Sequence, residues 1–366
     1  MGFDMEQTDQ LILDTAHRLF TDQCDAEIVN CAERGKTPER LRQAILESGL
    51  TLAWVPEEAG GVGGSLALGF NLIRQAASFA LPAPLADTLV ANLLLAESGL
   101  AVTDRWAALA FDGGELPALL QGEVNGVVDA AVGAPESAVV VVPVLEKGVV
   151  KIATFAPSTI DTENHENLAG EARSRITLNS AIPGQLSGPV DGMTADGLKQ
   201  FCAFVRACQI AGALEKITDL TVGYVKERQQ FGRPLGKFQA VQHMVADIAG
   251  ETALTGAAVE QAMRRVSAHP EPFSGDCELL FPLATAKVVA SEAAGKVTRD
   301  AHQAHGAMGF SFEYPLQQYS RRVWSWREEF GSEFSWSERL GMAVASEISS
   351  QGAGEAAGCA WDVVSR

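Results

Sequence analysis

The residues best suited to chemistry lie in one short stretch, residues 224–243, between two apolar helical patterns. Arg228 and Arg233 are its fixed cations, and two glycines and a proline follow Arg228 closely. These breakers end the first helix and turn the chain, which places the guanidinium groups beside the backbone amides of a new helix start. Such a corner suits an anionic ligand. An ordinary helix–helix connection with solvated basic side chains explains the same pattern, and the residues alone leave both interpretations open.

Helical periodicity on both sides positions this corner. Apolar residues recur every three or four positions over residues 201–224 and again over residues 238–248, which is the spacing of a buried helix face. The pattern continues to about residue 350 and predicts a helical bundle. Its main helices are expected near residues 196–227, 237–267, 277–304 and 313–328.

A second motif, His-Gln-Ala-His-Gly-Ala-Met-Gly-Phe at residues 302–310, is followed by Glu-Tyr-Pro at 313–315. Together the two stretches resemble the acyl-CoA dehydrogenase family over roughly residues 1–350. In that family an Arg-x-x-Phe-Gly turn with a following Phe-Gln contacts the diphosphate of FAD, usually the FAD held by a neighbouring subunit. A Gln-x-x-Gly-Gly-x-Gly-Tyr turn also contacts the flavin cofactor. The resemblance implies that FAD is contacted by Arg228, Phe231, Gln239, Gln303, Gly306 and Ala307.

Composition limits the possible partners. The chain has 366 residues, 47% of them hydrophobic and 20% charged, which is typical of a soluble globular protein with two or three packed units. A net charge of −18 argues against nucleic acid or an anionic membrane as the main partner, so an anionic ligand needs a local basic pocket. The sequence shows neither a signal-peptide pattern nor an apolar run of about 18 residues, and we expect a cytoplasmic protein. Six cysteines without CxxC spacing indicate neither zinc nor a disulfide framework.

The periodicity changes twice along the chain. Residues 1–105 read as an N-terminal helical domain, and residues 106–193 contain short β-branched runs that predict a small antiparallel β domain. A C-terminal four-helix bundle follows over residues 194–350, and residues 351–366 form a loose tail. The predicted fold class is mostly α with a small middle β domain, as in acyl-CoA dehydrogenases.

The resemblance implies α,β-dehydrogenation of an acyl-CoA thioester, in which a carboxylate removes the α-proton while the flavin accepts hydride from the β-carbon. The two positions where family members carry that base fall here on Phe330 and Cys202, and neither is a carboxylate. A one-residue slip of the loop would deliver Glu329 as the base. The alternative is a solvated acidic turn beside several arginines, formed by Glu328, Glu329 and Glu333. Cys202 reads as a small apolar residue on a buried helical stripe.

His302 and His305 have the i, i+3 spacing of a metal-binding pair, but no third ligand is near in sequence. We therefore predict no metal site, and expect these rings to make helix-end polar contacts or to pack near the flavin.

Two functional hypotheses remain. The family's Thr-Glu-Pro-x-x-Gly-Ser-Asp and Trp-Ile-Thr/Ser segments, which hold the flavin ring, have no counterpart in the middle domain. The chain is therefore either an FAD-dependent acyl-CoA dehydrogenase, acting alone or as one subunit, or a non-catalytic structural subunit that completes the FAD site of a catalytic partner. The family usually forms a dimer of dimers, and mixed assemblies are known among bacterial enzymes that shorten steroid-CoA side chains. We accordingly expect an acyl-CoA substrate and a homo- or hetero-oligomer, a dimer or tetramer, with related subunits.

Overall fold

The computed structural model describes the backbone of residues 2–351 and the side chains of residues 7–129, 133–134 and 136–346. It confirms the predicted fold class, because helices, then a sheet, then helices follow one another along the chain. None of the described helices combines the length and apolar character needed to cross a bilayer. The first part consists of the helices α1 (Gly2–Gln23), α2 (Ala26–Ala32), α3 (Glu39–Glu47), α4 (Leu66–Ser78) and α5 (Leu85–Glu97).

Helix α5 connects this helical part to the sheet. All of its residues from Leu85 to Leu95 are buried, which is expected of a helix that is apolar on every side. The buried Thr88 hydroxyl donates to the carbonyl of Ala107 at 2.9 Å, at the start of the first strand. The Asn92 side chain donates to the carbonyl of Thr51, in a short 3-10 helix between α3 and α4, and to that of Thr103, in the segment after α5, each at 3.0 Å. Buried polar groups are thus paired where the two parts meet.

The middle part is one eight-stranded sheet, and it is mixed. Strand β1 pairs parallel to β4, and β2 adds one further parallel pair to β4. The predicted antiparallel sheet is wrong at this point, because the β2–β3 hairpin separates β1 from β4 and the chain re-enters beside β1 in the same direction. The strands are β1 (Ala107–Leu109), β2 (Ala118–Leu120), β3 (Glu123–Val132), β4 (Val139–Glu146), β5 (Val149–Phe155), β6 (Asp161–Glu166), β7 (Ala172–Ala181) and β8 (Gln185–Leu186).

Over the described residues, the last part consists of five α-helices: the ends of the four predicted helices lie within three residues of observed helix ends, whereas the fifth helix, Glu333–Gln351, was not predicted. The predicted tail lies outside the described residues apart from Gln351, which ends the last helix. The helices are α6 (Ala195–Glu227), α7 (Gln239–Ala268), α8 (Cys277–His305), α9 (Leu316–Glu328) and α10 (Glu333–Gln351). Helix α6 is the centre of the molecule because it packs against α4, α7, α8 and α9.

The packing of α6 against α4 depends on one glycine. A Cβ atom at Gly212 would lie 1.9 Å from the carbonyl oxygen of Arg74 on α4, whereas a Cβ at Gly223, further along α6, would meet nothing within 4 Å. The backbones therefore approach too closely for any side chain at position 212.

We expect Gly212→Ala to lower the free energy of unfolding by about 1–3 kcal/mol, the usual cost of overpacking a core. Gly223→Ala should be neutral or stabilising by up to about 1 kcal/mol, because alanine is the better helix former and meets open space there. Denaturant midpoints of both variants check this pair. Equal effects would show that α4 and α6 do not approach each other as described.

Candidate functional site

The corner after α6 is a tight two-residue hairpin. The chain leaves the helix at Arg228, whose backbone is extended and whose N–H donates to the Tyr224 carbonyl at 2.8 Å. Two very short strands, β9 (Gln229–Gln230) and β10 (Arg233–Pro234), then pair antiparallel. Phe231 and Gly232 form the turn between them with φ values of +53° and +78°. Glycine meets that demand without strain, and the phenylalanine adopts it at a cost of order 1–3 kcal/mol.

The hairpin and the residues on either side of it expose several basic side chains to solvent. Phe231 is 89% exposed, and Arg228 is exposed as well. Residues 226–237 contain four basic side chains and one acidic one, in a chain whose net charge is −18. No described residue hydrogen-bonds to the side chain of Arg228, Gln239 or Gln303. These groups are free to bind an anion from outside.

Aromatic stacking brings the second motif to this corner. The Tyr224 ring stacks on His305 with centroids 4.3 Å apart, and its hydroxyl donates to the His305 carbonyl at 3.3 Å. The Tyr314 hydroxyl donates to the carbonyl of Leu220 at 3.0 Å. The end of α8, with Gln303 and the turn at Gly306, therefore lies beside the end of α6, with Arg228. Two motifs that are 75 residues apart in sequence meet on one surface.

The two histidines of the second motif have structural partners. His302 Nε2 lies 2.9 Å from the Ser320 hydroxyl, and His305 Nδ1 lies 2.7 Å from the Ala301 carbonyl, to which it donates. The other nitrogen of each ring is buried without a hydrogen-bond partner among the described residues. Burial lowers the pKa of both rings, so they are neutral at pH 7.

The donors at the corner match one half of an FAD site. A guanidinium and two side-chain amides lie near Gly232 and Gly306, and a Cβ at either glycine would have no neighbour within 4 Å. Bare backbone and charged donors together are what a diphosphate requires. The corner thus fits the phosphate part of the cofactor. The sequence segments that hold the flavin ring in the family are absent from the middle part of this chain.

The loop between α9 and α10 contains Phe330, the position that the family resemblance predicts for the catalytic base. Phe330 has a φ of +58° and is only 7% exposed. Its ring packs on Phe111, at the end of β1, with centroids 5.9 Å apart. Trp336 Nε1 donates to the Phe330 carbonyl at 3.1 Å. The second possible base position, Cys202, is buried on α6, where burial raises the pKa of its thiol to about 12.

Glu329, the predicted base, lies between two buried guanidinium groups. Its Oε1 accepts from Arg173 Nη2 at 2.7 Å and its Oε2 accepts from Arg206 Nε at 2.6 Å. Burial alone would raise the pKa of this carboxyl, but the two arginines outweigh it and lower the pKa to about 2. A base for a weakly acidic α-proton needs a raised pKa and a free oxygen. The catalytic role of Glu329 remains a prediction that this geometry does not favour.

The alternative prediction of a solvated acidic turn fits Glu328, which is exposed beside Arg327 at 3.2 Å, and does not describe Glu329. Glu333 also pairs with Arg327. Each of the three carboxylates of the loop is therefore engaged by an arginine. Sequence spacing alone did not distinguish the buried carboxylate from its exposed neighbour.

Glu329 belongs to a longer series of buried charges, which we call the ion chain. Charges of opposite sign alternate along it, and each member lies within 4 Å of the next. From one end to the other it runs Asp87, Arg206, Glu329, Arg173, Glu171, Arg322, Glu33 and Arg321. The sequence analysis missed it, because its members are scattered between residues 33 and 329. One usable signal was Arg206, a charged residue inside the apolar helical run of α6.

A buried lysine supports the same loop. Lys287 Nζ on α8 donates to the carbonyls of Trp326 at 2.7 Å and Arg327 at 3.0 Å, in the last turn of α9. A cation at the carbonyl end of a helix is favourable. Burial lowers the pKa of Lys287 to about 7.

Comparison with known proteins agrees with this geometry. A sequence profile described as acyl-CoA dehydrogenase, C-terminal domain, matches residues 201–333, which include both motifs and the loop. The fold of the whole chain is that of acyl-CoA dehydrogenases, as in butyryl-CoA dehydrogenase from Megasphaera elsdenii, at a TM-score of 0.77 and 19% identity over 92% of this chain and 98% of that one. Residues 201–333 thus match the C-terminal domain of the acyl-CoA dehydrogenase family, and the fold and the similar sequences support a place for the chain in that family.

Its similar sequences include the acyl-CoA dehydrogenase IpdE2 of Mycolicibacterium smegmatis, 27% identical over 87% of this chain and 93% of the relative. FadE34 of Mycobacterium tuberculosis is 29% identical over 78% of this chain, which spans only 39% of that relative. A similar structure is the ChsE4-ChsE5 complex of Mycobacterium tuberculosis, with a TM-score of 0.80 and 20% identity over 92% of this chain and 97% of that one. Another is the Tcur3481-Tcur3483 steroid ACAD, with a TM-score of 0.82 and 23% identity over 93% and 99%.

We expect the stability of the chain to fall as the pH drops from about 4.5 towards 2. The pKa of Glu329 in the folded state, about 2, lies below its ordinary value of 4.5, so its stabilising contribution is complete above pH 4.5 and is lost on protonation. The contribution is on the order of 3 kcal/mol. Glu329→Gln should lower stability at pH 7 by about 3–5 kcal/mol, because it removes the carboxylate that two buried arginines share and leaves each with a single acidic partner.

Glu328→Gln is the matched control, and it should cost less than about 1 kcal/mol because that pair is exposed. Unfolding by guanidinium chloride at a series of pH values measures both variants. If Glu329→Gln is as stable as Glu328→Gln, Glu329 does not have the pairing described.

Proposed function

We propose that this chain is the non-catalytic subunit of a mixed, FAD-dependent acyl-CoA dehydrogenase, and that it supplies the phosphate corner for a flavin held by a catalytic partner chain. The observation that carries the proposal is the state of the base loop. Phe330 takes the place of the base, and both oxygens of the adjacent carboxylate, Glu329, are bound by buried arginines. The chain therefore has the arginine and amide side chains of the corner, but it has no carboxylate at the position of the base.

The exposed corner supports a role towards a second chain. Arg228, Gln239 and Gln303 have no partner among the described residues, and Phe231 extends into solvent. Through the family resemblance, these positions contact the FAD of a neighbouring subunit. The guanidinium binds phosphate oxygens as a fork, and the bare glycine backbone lets the diphosphate approach.

Mixed assemblies among the similar structures support the same proposal. Two of them are named for two components, ChsE4-ChsE5 and Tcur3481-Tcur3483, and the second is a steroid ACAD. We propose a related, catalytically complete acyl-CoA dehydrogenase chain as the partner and a bulky acyl-CoA thioester, such as a steroid side-chain ester, as the substrate of the assembly. When bound in the partner, FAD would accept the hydride. The residues of this chain would bind and orient its diphosphate.

Arg228→Ala should reduce the flavin retained by the assembly at least tenfold while the assembly keeps its mass, because one charge-assisted phosphate contact is lost and no core residue is touched. The assembly is purified through a tag on this chain from the source cells, and its flavin absorbance is compared with its native mass.

Arg264→Ala is the control, since Arg264 is an exposed arginine of α7 about seven turns from Gln239. It should leave the flavin content unchanged. Unchanged flavin in Arg228→Ala would refute the corner's role. One flavin per chain in this chain purified alone, bleached by an acyl-CoA thioester, would instead establish a self-sufficient dehydrogenase.

A further inference from the structure

The ion chain connects all three parts of the fold. Its first and seventh members, Asp87 and Glu33, come from the N-terminal helices. Arg173 and Glu171 come from the start of β7 and the turn before it. The remaining members belong to the bundle, on α6, on α9 and in the loop after α9. Five of the seven links therefore join two different parts of the fold, and the exceptions are Arg173–Glu171 beside the sheet and Arg206–Glu329 within the bundle.

The charges at its centre are removed from solvent. The side chain of Arg173 is 6% exposed and that of Arg206 is 3% exposed. Taking such ions out of water costs several kcal/mol each, and the cost is offset only while both partners stay in place. Moving the sheet away from the bundle would separate Arg173 from Glu329 and leave each of these buried charges with one partner instead of two. The geometry of the pair is therefore a constraint on how the parts sit together.

Hydrogen bonds and aromatic contacts at the junction also hold the sheet against the bundle. Trp326 Nε1 on α9 donates to Glu171 Oε2 at 3.2 Å, and Asn167 donates to the same oxygen at 2.8 Å. Phe111 of the sheet packs on Phe330 beside Glu329. The guanidinium carbon of Arg206 lies 5.4 Å from the centre of the Phe330 ring, within the range of a cation–π contact. Phe330 and the ion chain thus both make contacts between the sheet part and the bundle.

We infer that the ion chain docks the sheet onto the two helical parts without help from a bound cofactor, so that the chain reaches and keeps its native arrangement as an apoprotein. This inference does not depend on the proposed function. The loop that contains Glu329 then has a structural role. We expect that neither binding nor release of flavin changes the docking of the sheet.

Arg173→Met tests the inference directly, because it removes the cation of the sheet and keeps most of its apolar volume. Hydrogen exchange, followed by mass spectrometry on the full chain, should show protection of the junction segments 104–114 and 169–178 reduced about 100-fold, the effect of an unpaired buried charge. Segments in the middle of α8, within the bundle core, should keep their protection.

Arg175→Met is the matched control. Arg175 lies two residues along the same strand, is half exposed and pairs with Asp129 at the surface. Its protection pattern should equal that of the wild type. If Arg173→Met and Arg175→Met exchange alike, or if exchange in Arg173→Met rises equally throughout the bundle, the ion chain does not dock the sheet.

The flavin-loaded assembly, compared with the same assembly after its flavin has been removed, provides the second measurement, which stands even if Arg173→Met fails to fold. Equal protection of 104–114 and 169–178 in both conditions supports docking by the ion chain. A rise of tenfold or more with FAD would overturn it. Flavin content separates this result from the proposed function, because Arg228→Ala alters flavin retention and not these segments.

Discussion

The pairing of Glu329 with Arg173 and Arg206 is the interaction on which the rest of the structure depends. It fixes the distance between β7 and α6, and through Asp87 it also fixes α5. A carboxylate held in this way stays ionised far below neutral pH, because two guanidinium groups oppose the effect of burial. The same pairing removes the nearest acid from the list of useful bases. Pairing with the two arginines therefore both stabilises this junction and lowers the basicity of Glu329.

The surface at the other end of α6 has the opposite character. Arg228 is exposed and has no side-chain partner among the described residues, the turn glycines carry bare backbone, and Tyr224 and His305 fix the two motifs against each other. Uncommitted donors on a rigid support are suited to a ligand that arrives from outside. One long helix thus joins a closed junction near Arg206 to an open corner at Arg228. A subunit that helps to hold a partner's flavin needs the corner and does not need the base.

Much of this was predictable from the sequence, and the exceptions have physical reasons. The long helices followed from periodic apolar residues, and the corner followed from glycine, proline and arginine spacing. Strand β6, with the polar sequence Asp-Thr-Glu-Asn-His-Glu, was missed because an exposed edge strand carries no alternating apolar signal. The ion chain was missed because buried pairs between distant residues depend on tertiary contacts. Glu329 was selected as an acid near the right position, and only its surroundings show that its oxygens are occupied.

Native mass spectrometry of the intact assembly would count FAD molecules and chains together. We expect an assembly of this chain with a related partner and one FAD for every two chains, with no FAD on this chain when it is isolated. An oligomer of this chain alone with one FAD per chain would contradict this expectation.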